Sequence, residues 1–413
     1  MDNLPSFDGA MLERRLQDLS ACSAHPWGLW RAAYTQEDAA AKEILSRWFA
    51  EEGFTSTRTD CVGNQYGLLQ GTSKEPGTIL IGSHLDTVKN AGIYDGTVGI
   101  LLGICAAGAL AKHFGPPKRN VEVGTFVEEE GSRFPAASYL GSRAINGSFS
   151  AQELELTDDQ GVSLAQAAAA AGYPIECFPS AVRNDLICYI EPHIEQGCVL
   201  DRTQTQIGLV EAITGFTLLT ATVSGRADHA GTTPMTMRHD ALLAASGMIS
   251  RMPDLLSSQQ SSDTITVGSI SAQPGSSNVV PDCVEFTVDV RSTSAERLDH
   301  LCRAVDELCR QQAGLHGCSV QLTRNLYIPP ISLDARLIDQ LEDCCHALDL
   351  TCRRMPSGAG HDCMHFAPRT PSAMFFLPSK DGRSHCPQEY TSPEQLSYGA
   401  GLLAKLLYQL AWV

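Results

Sequence analysis

At 413 residues, with 43% hydrophobic and 19% charged residues, the chain has the makeup of a globular protein long enough for two cores, which excludes a disordered chain. Its formal net charge of −17 argues against sequence-independent binding to nucleic acid or anionic lipid, yet a locally positive pocket can still take a small anion. Fifteen cysteines with no C-x-x-C pair read as buried free thiols of a reducing compartment, not as a disulfide framework or zinc knuckle.

The N-terminus has neither a basic n-region nor an apolar h-region, so no secretory leader is expected. The longest apolar run, around Gly99 to Ala111, is shorter than the ~20 residues that span a bilayer. A cytoplasmic protein with no membrane partner is the reading. From Leu12 to Gly71 the pattern is mostly helical, with apolar residues at helical spacing through Ala39 to Phe54 and a short extended stretch at the end. Thr78 to Ser83 is a compact apolar strand, Asp95 to His113 a Gly/Ala/Leu-rich buried helix, and Val121 to Val127 a second buried strand. Ala165 to Ala171 is an alanine-rich helix.

Residues 215–330 read differently. Phe216–Ser224, Thr264–Ile270, Cys283–Arg291 and Ser319–Leu326 are strands, and Met237–Met252 and Ala295–Ala313 are helices. Leu298, Leu301, Val305 and Leu308 mark one face of the second helix. The order β-α-β-β-α-β is that of a ferredoxin-like sandwich. The expected fold class is therefore α/β: a catalytic domain, residues 1–214 and 331–413, with a mixed central sheet flanked by helices, carrying an inserted ferredoxin-like α+β domain at 215–330. From Ile331 the chain returns to α/β character and ends in an amphipathic helix around Pro393 to Leu410.

Residues able to do chemistry cluster just after the two buried strands, where an open α/β sheet places its sites. In Ser-His84-Leu-Asp86-Thr the aspartate is placed to orient an imidazole that binds a metal; otherwise the pair is an ordinary loop histidine and turn acid. Asp95 opens the buried helix and either bridges two cations or caps it. Glu128, Glu129 and Glu130 end the second strand, and three adjacent carboxylates repel one another unless solvent or a cation compensates. His193 and His385 add two more nitrogen donors. Such a nitrogen and oxygen set suits zinc or manganese. The cysteines at 302, 309, 344 and 345 are assigned to helix packing, and Met364 and His365 to structure.

The segments GSHLDTV, YDGTVG, EEEGSRFP, HIEQGCVL, DHAGTTPM, NVVPDCVEFTVDVR, SGAGHD and SHCPQE, in order from residue 82 to 389, together resemble the M20 metallopeptidase-like amidohydrolases. The resemblance is to the branch holding allantoate amidohydrolase, N-carbamoyl-L-amino-acid hydrolase and β-ureidopropionase. EEEGSRFP, SGAGHDCMHFAPR and the closing LLYQLAW are most similar to allantoate amidohydrolases. The resemblance implies two divalent ions per subunit, Zn2+ or Mn2+ with Ni2+ and Co2+ as alternatives, held by His84, Asp95, Glu130, His193 and His385 with Asp95 bridging. It implies Glu129 as general base, Asp86 holding His84, and Arg291 with Asn278 gripping a substrate carboxylate. Gln196 and His361 would line the pocket, and the inserted domain would serve as lid and dimerisation surface of a homodimer, His229 reaching across the interface.

The residues themselves support part of this. Arg291 ends a strand and offers a planar fork to a carboxylate, or a surface salt bridge. His229 lies in a turn-rich loop, and Asn278 equally suits a turn. The implied reaction is hydrolysis of a ureido C–N bond in a small anionic substrate: allantoate to ureidoglycine, ammonia and CO2, or alternatively an N-carbamoyl-L-amino acid. Glu129 would relay the proton from water to the leaving nitrogen while His229 faces the oxyanion. No Gly-x-Ser-x-Gly elbow is present to support a covalent route. A dipeptidase or aminoacylase is a more distant alternative; a non-catalytic binding protein on this fold would have lost ligands that are all present here.

Overall fold

The computed structural model describes residues 4–73, 77–256 and 262–413. Met1 to Asn3, the start of the segment read as leaderless, lie outside these, as do 74–76 and 257–261 within the two expected domains. The chain divides into two compact units, Met1–Glu211 with Leu333–Val413, and Ala212–Ser332.

In chain order the main strands are β1 (Ser56–Thr59), β2 (Gln65–Leu69), β3 (Thr78–His84), β4 (Asn120–Phe126), β5 (Leu186–Ile194) and β6 (Ile207–Ile213). They continue as β7 (Gly215–Ser224), β8 (Thr264–Gln273), β9 (Cys283–Ser292), β10 (Ser319–Ile328), β11 (Cys352–Ser357) and β12 (Ser372–Leu377). The longer helices are α1 (Gly9–Ala21), α2 (Gln36–Glu51), α3 (Thr97–Phe114), α4 (Ala241–Arg251), α5 (Ala295–Leu315), α6 (Ala335–Ala347) and α7 (Pro393–Leu407).

The larger unit is built on a mixed sheet of order β6-β12-β5-β3-β4-β2-β1, with β11 also pairing β6. Its centre is parallel, β12 with β5, β5 with β3 and β3 with β4, and antiparallel pairs flank it. Strands covered by helices on both faces need apolar residues on both, which is why β3 and β12 are buried along their whole length. At 18 residues α3 is long and apolar enough to cross a bilayer, longer than the run read from the sequence. Here it is a core helix, packed against β3, β5, α1 and α7, and all but five of its residues are buried. Helix α7 starts from Ser392, which forms a reciprocal capping box with Gln395, and carries Pro393 in its first turn, where the missing N–H costs nothing.

The inserted unit pairs four antiparallel strands in the order β8-β9-β7-β10, so its first strand lies between its third and fourth. Along β7 buried and half-buried residues alternate, turning one face of the sheet to α4 and α5. Leu298, Leu301, Val305 and Leu308 are buried on α5 and join Val223, Phe286 and Val288 of the sheet in one core. Burying each such side chain stabilises by about 1.5–3 kcal/mol. Cys302 and Cys309 belong to this core, and Cys344 and Cys345 are buried on α6.

Candidate metal centre

Four neighbouring strands deliver the site at their C-terminal ends. His84 is the last residue of β3, Glu129 and Glu130 follow β4, His193 lies near the end of β5, and His385 follows β12. Asp95 precedes α3, where unpaired N–H groups and the helix dipole favour an anion. The connection passes through Gly96 at φ 66°, where a Cβ would meet the His84 ring at 2.5 Å. Glu128, Gln196 and His385 also have positive φ, at 57°, 57° and 55°. Such backbone costs about 1–3 kcal/mol per residue and concentrates at functional sites.

Asp95 is the hub. Its Oδ1 lies 3.4 Å from His84 Nε2 and 3.2 Å from His193 Nε2, while its Oδ2 lies 3.2 Å from His385 Nε2. His385 Nε2 is also 3.2 Å from Glu130 Oε1. Two triads that could each hold an ion, His84–Asp95–His193 and Asp95–Glu130–His385, therefore share one carboxylate. The far nitrogens of two imidazoles are engaged: His84 Nδ1 with the Asp86 carbonyl and His193 Nδ1 with the Ile194 carbonyl, each at 2.9 Å. A carbonyl only accepts, so both Nδ1 atoms donate and both Nε2 atoms face the centre.

The electrostatics call for positive charge. Burial alone would raise Asp95, but its contacts with His193, His385 and His84 hold it well below the usual carboxylate range. Burial opposes charge on His84, yet Glu129, Asp95, Glu130 and Asp86 raise its pKa well above the ordinary value. His385 is raised to about 10 by Asp95 and Glu130. Asp95 Oδ1 and His193 Nε2 are buried and lack a hydrogen-bond partner. An unmatched acceptor facing an unmatched imidazole nitrogen is satisfied by a divalent cation, and the donor set fits zinc or manganese.

Glu129 sits beside this hub, its Oε2 3.8 Å from His84 Nε2. Burial raises its pKa well above the ordinary carboxyl value, and Glu130, Asp362 and Asp86 add to the shift against His84. Asp86 acts otherwise than its spacing suggests. Its backbone carbonyl, not its carboxylate, meets His84. The carboxylate instead accepts the Glu129 and Glu130 amides, both at 3.1 Å, and so fixes the two acids in place.

Gln196 donates to Asp95 Oδ2 at 2.8 Å and lies 3.3 Å from His385 Nε2. His361 does not line an open pocket as expected. It is 1% exposed, its Nε2 lies 2.9 Å from Ser357 Oγ, and its ring packs edge-on against His193 at 4.5 Å. Burial, with His193 adding, pushes its pKa well down, so it backs His193 as a neutral ring.

The inserted unit brings His229 and Asn278 together. His229 pairs with Val279, and Ala230 N–H donates to the Asn278 carbonyl at 2.9 Å. His229 Nδ1 accepts from the Gly231 and Thr232 amides at 3.0 and 3.3 Å, which leaves the ring proton on Nε2, pointing outward as a donor. Arg291 commits Nε and Nη2 to Asp289 at 2.9 and 3.0 Å and lies over the Phe216 ring.

Glu191 and Glu389 are among the buried acids to which the sequence assigns no role. Glu191 is buried within β5 and accepts from Cys363 N–H at 2.7 Å. Glu389 accepts from the Tyr94 and Asp95 amides. SHCPQE marks the second as part of a motif, but neither spacing nor periodicity reveals its partners.

The family model described as peptidase family M20/M25/M40 matches residues 80–409. An N-carbamoyl-L-amino-acid amidohydrolase of Paenarthrobacter aurescens is 37% identical over 402 residues, 97% of either chain. An allantoate amidohydrolase of Bacillus subtilis is also 37% identical, over 93% of either chain. The solved structure of an amidase of the hydantoinase/carbamoylase family from Burkholderia multivorans superposes with a TM-score of 0.91 at 30% identity, covering 98% of both chains.

Proposed function

The chain belongs to peptidase family M20/M25/M40, and from that membership we propose that it is a metal-dependent amidohydrolase converting allantoate to ureidoglycine, ammonia and CO2. The observation that carries this reading is the shared carboxylate of Asp95 between two ligand triads, with Glu129 beside it. His84, Asp95, Glu130, His193 and His385 would hold the divalent cations, which when bound would supply Lewis-acid chemistry toward a water and the ureido carbonyl. Glu129, beside His84 at the centre, takes a proton from the attacking water and returns one to the leaving nitrogen. Asp86 keeps Glu129 and Glu130 in register through their amides. The inserted unit is a lid and the dimerisation surface of a cytoplasmic homodimer. Within it His229 Nε2–H serves the partner's site as oxyanion donor, and Arg291 and Asn278 hold the substrate carboxylate.

A second reading, hydrolysis of an N-carbamoyl-L-amino acid, is favoured by the relative of that activity, which is as similar as the allantoate enzyme. Comparing kcat/KM for allantoate with N-carbamoyl derivatives of methionine, phenylalanine and β-alanine, with ammonia as readout, decides between them. Any of the three exceeding allantoate tenfold overturns the allantoate assignment. EDTA must abolish turnover and a divalent ion restore it.

A further inference from the structure

We propose that Glu389 is a positioning residue for the metal centre, holding the backbone of Asp95 and sharing the single proton of Ser384 with the Asp95 carboxylate. The inference rests on the metal-centre reading and adds a control element to it. Glu389 is 5% exposed, and Gly92 packs so closely that a Cβ there would lie 2.3 Å from Oε1. Oε1 accepts from Tyr94 N–H at 2.9 Å and Asp95 N–H at 3.0 Å. Oε2 lies 2.9 Å from Ser384 Oγ, which in turn lies 2.7 Å from Asp95 Oδ2.

A hydroxyl has one proton, and here it faces two carboxylates. Donated to Asp95 Oδ2, it competes with any ion bound between Asp95, Glu130 and His385. Donated to Glu389 Oε2, it leaves Asp95 Oδ2 open on that side. Glu389 is thus the acceptor that draws the proton away when an ion arrives, and when none is bound the same hydroxyl proton sits between two carboxylates that otherwise repel each other. Through its two backbone contacts it also sets where Asp95 sits, tying the segment that carries His385 to the start of α3.

Glu389→Gln separates these roles. Its amide oxygen still accepts from Tyr94 and Asp95, but its NH2 faces Ser384 and forces the hydroxyl proton onto Asp95. Zn2+ affinity, measured on the full chain by competition with a chromophoric chelator, should fall 10–100-fold, the range seen when residues supporting a ligand are lost. Adding Ser384→Ala removes the competing proton and should recover most of that loss, which a merely structural defect would not do. A Glu389→Gln chain that binds Zn2+ within twofold of wild type overturns the proposal, as does a double variant no tighter than Glu389→Gln alone. If Glu389→Gln does not fold, Ser384→Ala alone serves: it should bind at least as tightly as wild type, and tenfold weaker binding overturns the proposal. A wild-type chain that takes up no Zn2+ overturns the metal centre as well.

Discussion

Replacing Gly96 by alanine adds one methyl group at a place where two constraints meet. The residue has φ 66° and ψ −54°, and the new Cβ would lie 2.5 Å from His84 Cε1 and Nε2. The backbone conformation alone costs a residue with a side chain about 1–3 kcal/mol. Relief of the clash to an ordinary contact of 3.4 Å moves the imidazole by about 1 Å. A misplacement of that size at a reacting centre lowers turnover by on the order of 100-fold, or about 2.7 kcal/mol of barrier. Gly115, at the other end of α3, is the control: its φ is 81° and a Cβ there meets nothing within 4 Å. Both variants should lose melting temperature to a similar degree, whereas only Gly96→Ala should lose kcat/KM and metal affinity, measured by ammonia release and chelator competition. A Gly96→Ala enzyme within threefold of Gly115→Ala in kcat/KM would refute the argument that this glycine seats His84.

Other consequences can be checked directly. Glu129→Gln should keep its metal yet lose kcat by about 10²–10⁴, the share a positioned acid–base group supplies; near-normal turnover would remove it from the mechanism. Mixing His229→Ala subunits with Glu129→Gln subunits should regenerate part of the activity, since one hybrid site is intact, and no recovery despite demonstrated subunit exchange would count against a shared site. Arg291→Ala should raise KM steeply, on the order of 2–5 kcal/mol for a lost charge-assisted contact to a bound carboxylate, with kcat for saturating substrate the smaller change. Burial raises the Cys105 and Cys188 thiols to about 12, whereas Cys177 is exposed. Iodoacetamide at pH 8 should label Cys177 while sparing those two, as read by mass spectrometry of peptides, until the chain unfolds.

Much of the centre was legible in the sequence because β3 and β4 are short uninterrupted apolar runs that end in polar residues. His84 and Glu130 stand just beyond such runs, where any reader of α/β sheets looks first, and Asp95 opens the apolar helix that follows β3. Strand β5 was harder, since LICYIEPHI carries Glu191 and Pro192 inside an otherwise apolar stretch. That acid is tolerated because Cys363 N–H, 172 positions away, answers it. Glu389 was invisible for the same reason, its partners lying 294 and 295 positions earlier. Asp86 was misread because a histidine and an aspartate two apart suggest a side-chain pair, whereas the backbone carbonyl of Asp86 meets His84 and its carboxylate takes the Glu129 and Glu130 amides. For the inserted unit the alternation along its strands and the spacing on α5 were sufficient.

The place of β12 in the sheet bears on how the protein is made. Residues 372–377 sit between β5 and β6, strands completed more than 150 residues earlier. While the chain is being synthesised, β5 therefore presents an open row of amides and carbonyls, and the gap closes only after residues 372–377 have left the ribosome. His385 arrives later still, so no nascent chain owns a complete centre. An exposed strand edge of this kind is a template for aggregation. Shortening the C-terminus before residue 372 would remove the strand that fills the gap, and such a chain should be lost to aggregation or proteolysis rather than survive as a weak enzyme.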